Sequence, residues 1–459
     1  MNENTSTKKA RGSALLPFAV FIVVYLGAGI ILDAMGVDMA FYQFPSPVAA
    51  LIGIVVAFIM FKGTMDEKFS IFAKGCGNEN ILTMCFIYLF AGAFATVAKA
   101  MGGVDSTVNL GLSIIPAQYI TGGMFIISAF IAVATGTSVG TISAVGPIAV
   151  ATADKAGLSL PLIVAAVIGG AMFGDNLSVI SDTTIAATKT QGVEMKDKFR
   201  INFLIALPAA IIAFVVLLIV GKPETAVPLG DLSYDIIKVI PYVVVLVLAL
   251  IGLNVFITLG AGIILAGIIG MAYGSFSFLG FTQNIYTGFT GMIEIFLLSL
   301  MIGGLSEMCS YYGGIQWMLE KIKGFVKSKR SAQVGISALV SLCDIATANN
   351  TIAIIIAGQP SREICETFEV DPRKSASLLD IWSCVFQGIL PYSAQVLIAC
   401  GLTAGLVSPT ELLPLLWYPY LLALFAIISL FVPFADGLIK KHPWNYKTWS
   451  CSPTTPKLP

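Results

Sequence analysis

Residues 169–184 read GGAMFGDNLSVISDTT, and this stretch decides how the chain is folded. It lies within an apolar run from 159 to 188, long enough to cross a bilayer, yet it carries Asp175, Asn176, Ser178, Ser181, Asp182, Thr183 and Thr184. A lipid-facing helix does not hold such a string, because a carboxylate at the bilayer centre costs roughly 3 kcal/mol or more unless it is paired or hydrated. A glycine-containing, polar break at membrane depth also frees peptide groups, which is tolerated only against protein, water or a ligand. The stretch therefore predicts a broken membrane helix with its polar side chains turned inward.

Three other stretches share this character. They are ATGTSVGTISAVG at 134–146, DIATANNT at 344–351 and QGILPYSAQ at 387–395. Their positions correspond, since Thr135 to Asp175 is forty residues and so is Thr347 to Gln387. An offset close to 212 lays Thr135 on Thr347 and Gly146 on Gly358, and with one residue less Gly102-Gly103 falls on Gly313-Gly314. The chain thus reads as two related halves.

Composition agrees with a membrane setting. Of 459 residues 57% are hydrophobic and 11% charged, with mean hydropathy +0.90, whereas a soluble domain carries about a quarter charged residues. Spans are expected at 14–35, 46–62, 82–101, 159–188 and 201–221, then at 232–252, 254–273, 289–308, 375–404 and 411–433. Weaker pairs at 120–135 with 138–153 and at 332–346 with 350–360 read as hairpins. The polar MNENTSTKKARG at 1–12 precedes an apolar stretch too long for a secretory signal, so Ser13 to Gly36 reads as a retained first span. Eight scattered cysteines with no C-x-x-C pair argue against a disulfide framework or a zinc site. A formal net charge of zero gives no reason to expect nucleic acid as a partner.

Five crossings per half would turn the second half upside down, and the distribution of Lys and Arg tests this. With the amino terminus cytoplasmic, 22 of the 26 Lys and Arg fall inside, Lys198, Arg373 and Lys374 among them. Lys155 and Lys222 fall outside, and Lys99 and Lys238 lie in or near spans. The expected fold is an all-α polytopic membrane protein of two inverted repeats of five transmembrane helices, each with a re-entrant helical hairpin and a broken helix. Its divisions are a tail at 1–12, a first repeat at 13–221, a second repeat at 222–434 and a tail at 435–459. Both tails are expected on the cytoplasmic side of a bacterial-type inner (plasma) membrane.

Broken helices offer half-helix dipoles to anions and freed carbonyls to cations. Asp175 and Asp182 are the expected Na⁺ ligands, because seven residues are about two turns and an unbroken helix would keep both on similar faces. Burial and mutual repulsion would also let such a pair take up protons. Thr135, Thr137 and Ser138 are candidate ligands from the first hairpin, the bland alternative being hydrogen bonds back to helix carbonyls. Asn349 and Asn350, adjacent amides beside Thr347, need several partners each and are expected to line the site. Glu294 is a secondary candidate; Glu307 and Lys99 sit near span ends, and His442, the one histidine, reads as a solvated tail residue.

The strings GTSVGTISAVGPIA at 136–149 and GGAMFGDNLSVISDTT at 169–184 resemble the paired signature of NhaC-type sodium/proton antiporters, within the ion transporter superfamily. The resemblance implies a carrier in which Asp175, Asn176, Ser181, Asp182 and Thr183 handle the cation, with Na⁺ and H⁺ as transported or coupling ions and no other cofactor. It also implies a homodimer that moves a substrate-bearing domain against a scaffold. One departure is Val179, where family members usually have proline. The second half is rich in amides and hydroxyls, leaving room for an organic substrate held by Asn349, Asn350, Ser393 and Gln395, with Thr347 beside them. No Lys or Arg lies near the expected tips. The leading expectation is Na⁺/H⁺ exchange by alternating access, and the alternative is Na⁺- or H⁺-coupled movement of an amino acid or small organic acid. No H-E-x-x-H, G-x-S-x-G or Walker-type string points to an enzyme, and broken helices favour a carrier over an open channel.

Overall fold

Capping residues and prolines set the helix boundaries in this chain, so the breaks can be followed from one cap to the next. The structure, a computed structural model, describes residues 10–35, 37, 43–114, 116–178, 181–223, 232–250 and 253–446. The expected tails lie largely outside the described residues, as do Val179 and much of the polar break between the halves. No strand occurs among the described residues.

The first half runs α1 (Leu16–Ala34), α2 (Ser46–Met60), α3 (Met65–Cys76), α4 (Glu79–Ala100), α5 (Gly103–Ile114), α6 (Ile120–Thr135), α7 (Ser138–Ala156), α8 (Leu160–Leu177), α9 (Asp182–Gln191) and α10 (Met195–Val220). The second runs α11 (Ile236–Leu250), α12 (Val255–Ala272), α13 (Phe278–Gly291), α14 (Ile293–Tyr311), α15 (Gly314–Phe325), α16 (Lys329–Thr347), α17 (Asn350–Phe368), α18 (Pro372–Ile389), α19 (Ala394–Leu402) and α20 (Trp417–Phe431).

The expected hairpins are α6–α7 and α16–α17. In the first, Gly136 turns left-handed at φ 69°, and the Thr137 side chain then accepts from the Gly140 amide at 3.2 Å to start α7. In the second, Ala348 takes the same turn at φ 50° and Asn349 accepts from the Ile352 amide at 2.9 Å. Helices α7, α8 and α9 begin at 138, 160 and 182, and α17, α18 and α19 at 350, 372 and 394, the same 212-residue offset each time. The left-handed backbone positions Gly136, Gly157 and Gly192 are matched at that offset by Ala348, Glu369 and Ala404.

Two expected long spans are interrupted where the polar strings fall. Helix α8 stops at Leu177 and α9 starts at Asp182; α18 stops at Ile389 and α19 starts at Ala394. The face argument for Asp175 and Asp182 therefore fails, because no continuous helix joins them. Four helices were not anticipated, namely α3, α5, α13 and α15, each of 12 to 14 residues and mixed polarity. The last expected span, 411–433, is bent by 48° ahead of α20. Among the described residues seven helices are long and apolar enough to cross a membrane, or nine if each bent pair is one span. Ser46–Met60 and Ile236–Leu248 are shorter apolar helices.

The halves interlock through their broken helices. Helix α19 packs on α7, the second arm of the first hairpin, and α9 packs on α17, the second arm of the other. Around them, α4 packs on α12 and α13, and α14 on α2 and α3. The tightest approach is α6 on α8: a Cβ added at Gly170 would stand 2.1 Å from the Phe125 carbonyl oxygen, and one at Gly174 2.3 Å from that of Ala129. Small residues four apart let two membrane helices meet backbone to backbone. Gly170→Ala is accordingly expected to destabilise by about 1–3 kcal/mol, the scale of overpacking, read as a lower apparent melting point in detergent. Gly123→Ala, with open space around its Cβ, is the control; equal melting points for the two variants would contradict the packing.

Candidate functional site

The break after α8 leaves Asp175 buried, 4% exposed, at the end of a helix. Its Oδ2 accepts from the Ser138 amide at 3.2 Å and the Ser138 hydroxyl at 2.7 Å. Its Oδ1 accepts from the Ser181 hydroxyl at 2.5 Å, and Ser181 in turn meets Thr183 at 2.9 Å. The carboxylate thus sits at the N-terminus of α7, where the first-turn amides and the helix dipole favour negative charge.

From Ser138 the network crosses to the other half. Gln395 Nε2 donates to the Ser138 hydroxyl at 2.9 Å, Gln387 Nε2 donates to Gln395 Oε1 at 3.0 Å, and the same Nε2 reaches the Ala348 carbonyl at 3.3 Å. One run of hydrogen bonds therefore joins the first break to the tip of the second hairpin. All four polar stretches singled out in the sequence contribute to it.

A second network lies behind the first. Asp380 Oδ2 pairs with Lys198 Nζ at 2.5 Å and accepts from Asn176 Nδ2 at 2.9 Å and Asn202 Nδ2 at 2.8 Å. Lys198 also donates to the Asn176 carbonyl and the Thr184 hydroxyl, each at 2.7 Å. Both charged side chains are buried, Lys198 at 1% and Asp380 at 0%. Lys198, counted only among the cytoplasmic cations, is an internal partner beside the α8 break, so a basic group does lie near the interrupted stretches. Lys68, Arg373 and Lys374, counted the same way, are also buried.

The remaining candidates separate into two groups. Asp182 is exposed and, with Thr135 and Thr137, lines a cavity of about 220 Å³ that includes Asn254 and Thr258. It does not share the buried network of Asp175. Thr347 lines a smaller cavity of about 60 Å³ with Asn78, Ser306 and Glu307. Asn349 caps α17, Asn350 Oδ1 accepts from the Thr351 amide at 2.9 Å, and Ser393 caps α19. These three spend side-chain oxygens on helix starts, which is the structural reading of their type; Gln395 alone of the expected substrate residues joins the Asp175 network. Glu294 accepts from Ser46 at 3.0 Å, and Glu307 pairs with Lys74 at 3.0 Å. Sequence reasoning missed Lys198 and Asn202 as site neighbours; Asp380 was noted, with Asp344, only as an acid near the second half's tips. The spacing of Lys198 and Asn202, four residues on one helix face, was the available signal.

Residues 1–222 match the model of the Na⁺/H⁺ antiporter family. The malate-2H⁺/Na⁺-lactate antiporter of Bacillus subtilis is 26% identical over 389 residues, 77% of this chain and 81% of that protein. The arginine/ornithine antiporter ArcD of Halobacterium salinarum is 24% identical over 443 residues, covering 86% and 87%. The Na⁺/H⁺ antiporter NhaC of Bacillus subtilis is 22% identical over 402 residues, covering 80% and 85%. Among solved structures, the YdaH transporter of Alcanivorax borkumensis aligns over 95% of this chain and 100% of that one at 13% identity and a TM-score of 0.40. These relatives are transporters and not enzymes. The chain is a multi-pass membrane protein whose first 222 residues match the Na⁺/H⁺ antiporter family model and which is similar, over 80% of its length, to the Na⁺/H⁺ antiporter NhaC.

Proposed function

We propose that this protein is a secondary-active, cation-coupled antiporter that exchanges Na⁺ for H⁺ by alternating access, with Asp175 as the group that binds one or the other. What supports this reading is a single buried carboxylate held by Ser138 and Ser181 at the point where the interrupted helices of both halves meet. A carboxylate with hydroxyl neighbours offers oxygen ligands to Na⁺, and the same oxygens accept a proton. One site that holds either cation, never both, is the simplest basis for exchange. Asp182, Thr135 and Thr137 line the vestibule that leads cations toward it. The two halves act as inverted repeats with both termini cytoplasmic in a bacterial-type inner membrane; removing the buried cations from the charge count leaves the asymmetry in place.

A second reading is exchange of an amino acid or small organic acid coupled to Na⁺ or H⁺. The amide pair Gln387 and Gln395 favours it, as do relatives named for malate and lactate and for arginine and ornithine. Uptake of labelled solutes into proteoliposomes separates the readings; if Na⁺ and H⁺ alone move, the second fails.

Asp175→Asn is expected to abolish Na⁺-dependent pH changes in sealed vesicles, while Asp182→Asn, in the open vestibule, raises the Na⁺ concentration needed for half-maximal exchange and leaves the maximal rate near that of the parent. Full activity in Asp175→Asn removes that residue from the mechanism.

Lys198 and Asp380 are assigned the task of fixing the framework beside the site. Lys198→Met alone strands a buried carboxylate and is expected to destabilise by roughly 3–5 kcal/mol, whereas Lys198→Met with Asp380→Leu recovers most of the loss. Melting points of the single and double variants in detergent check this; a double variant no better than the single one contradicts it.

A further inference from the structure

Asp344 lies on α16, one turn before the reversal at Ala348. It is fully buried, and neither carboxylate oxygen has a hydrogen-bond partner. The Gln387 backbone lies beside this carboxyl. The Gln387 side-chain oxygen Oε1 is also buried without a donor, its Nε2 being committed to Ala348 and Gln395. Apart from the Gln387 backbone N–H that faces the carboxyl, no donor reaches these three acceptor oxygens at the second hairpin tip.

The titratable groups that face Asp344 are Cys343 on its own helix and Tyr392 from the link between α18 and α19. Neither supplies the missing donor, since the Tyr392 hydroxyl donates to the Ile345 carbonyl at 3.0 Å and a buried thiol is a weak donor. Among the described residues no charged side chain on the helices packed against α16, namely α14, α15, α17, α18 and α20, is hydrogen-bonded to this carboxyl. An ionised carboxylate in such a place has no cation and no side-chain donor to offset its burial, whereas one bound proton removes the charge and provides a donor.

We propose that Asp344 is a second proton-binding site, separate from that of Asp175, whose proton is taken up and released during transport. In the step, H⁺ adds to one carboxylate oxygen of Asp344 to give the neutral acid and leaves from the same oxygen. A proton suits this site because it needs no shell of oxygen ligands. Thr347, three residues on, lines the cavity of about 60 Å³. Communication with the first site runs through Gln387, Gln395 and Ser138. Gln387 stands 212 residues after Asp175, so where the first half has an acid the second has an amide, and its own acid is on the facing hairpin. The proposal rests on the antiport reading for its role in transport but not for the protonation itself.

The test uses the full chain in proteoliposomes. Infrared spectra in H₂O and D₂O at neutral pH are expected to show the carbonyl stretch of a protonated carboxylic acid, lost in Asp344→Asn and kept in Asp175→Asn. Na⁺-driven proton movement in Asp344→Asn is expected to fall about a hundredfold, the scale of removing a positioned proton-transfer group, while Asp344→Glu keeps both the band and the transport. An Asp344→Asn spectrum identical to that of the parent, or parental proton movement in that variant, overturns the proposal. Should Asp344→Asn fail to fold, loss of transport in Asp344→Glu with the band retained likewise overturns it. Because the infrared result needs no transport, a parent protein that shows the Asp344 band but moves no protons in response to Na⁺ would sink the antiport reading alone.

Discussion

The hydrogen bonds from Ser138 to Asp175 are the interaction on which the architecture turns. A carboxylate kept from water has to receive its partners from the protein, and here they come from the start of α7 and from the residue just before α9. Three local features bring them together: the left-handed turn at Gly136, the Thr137 cap, and the end of α8 at Leu177. None would be stable as an isolated break in lipid. The Ser138 hydroxyl that joins them also accepts from Gln395 of the opposite half, so the site and the interlock between halves are one construction.

Behind it, the Lys198–Asp380 pair solves a different problem. Asn176 and Asn202 share the same Asp380 oxygen, and Lys198 also takes the Asn176 carbonyl left free by the end of α8. The broken backbone is thus anchored by an internal ammonium. Charge balance there is local, leaving Asp175 to be served by hydroxyls and amides. That division between a neutralised carboxylate and one held only by neutral donors is what lets two acids close in space have unlike roles.

Much of this was legible beforehand. The 212-residue offset, read from Thr135 with Thr347 and Gly146 with Gly358, reappears in helix starts and turn positions, because turn geometry is written in short local strings. The polar stretches also broke where expected. Less legible were α3 and α15, whose amphipathic sequences are too polar for a hydropathy reading, although Thr64 and Glu67 already spell a capping box. Lys198 was misread because it lies in the basic cluster 196–200, and composition cannot say which member of a cluster turns inward. Asp182 was tied to Asp175 by helical spacing, an argument that lapses once the helix is cut between them. Asn349 and Asn350 looked like ligands for the reason that they are good caps: both tasks call for an amide at an unpaired helix end.

The turn positions of the two halves differ in a way that bears on movement. Where the first half has glycine at 136, 157 and 192, the second holds Ala348, Glu369 and Ala404 in the same left-handed conformation. A side chain makes that conformation less favourable by about 1–2 kcal/mol per residue. The copies are therefore alike in shape and unlike in conformational cost: the second keeps its three turns against a backbone preference that the first does not have to overcome.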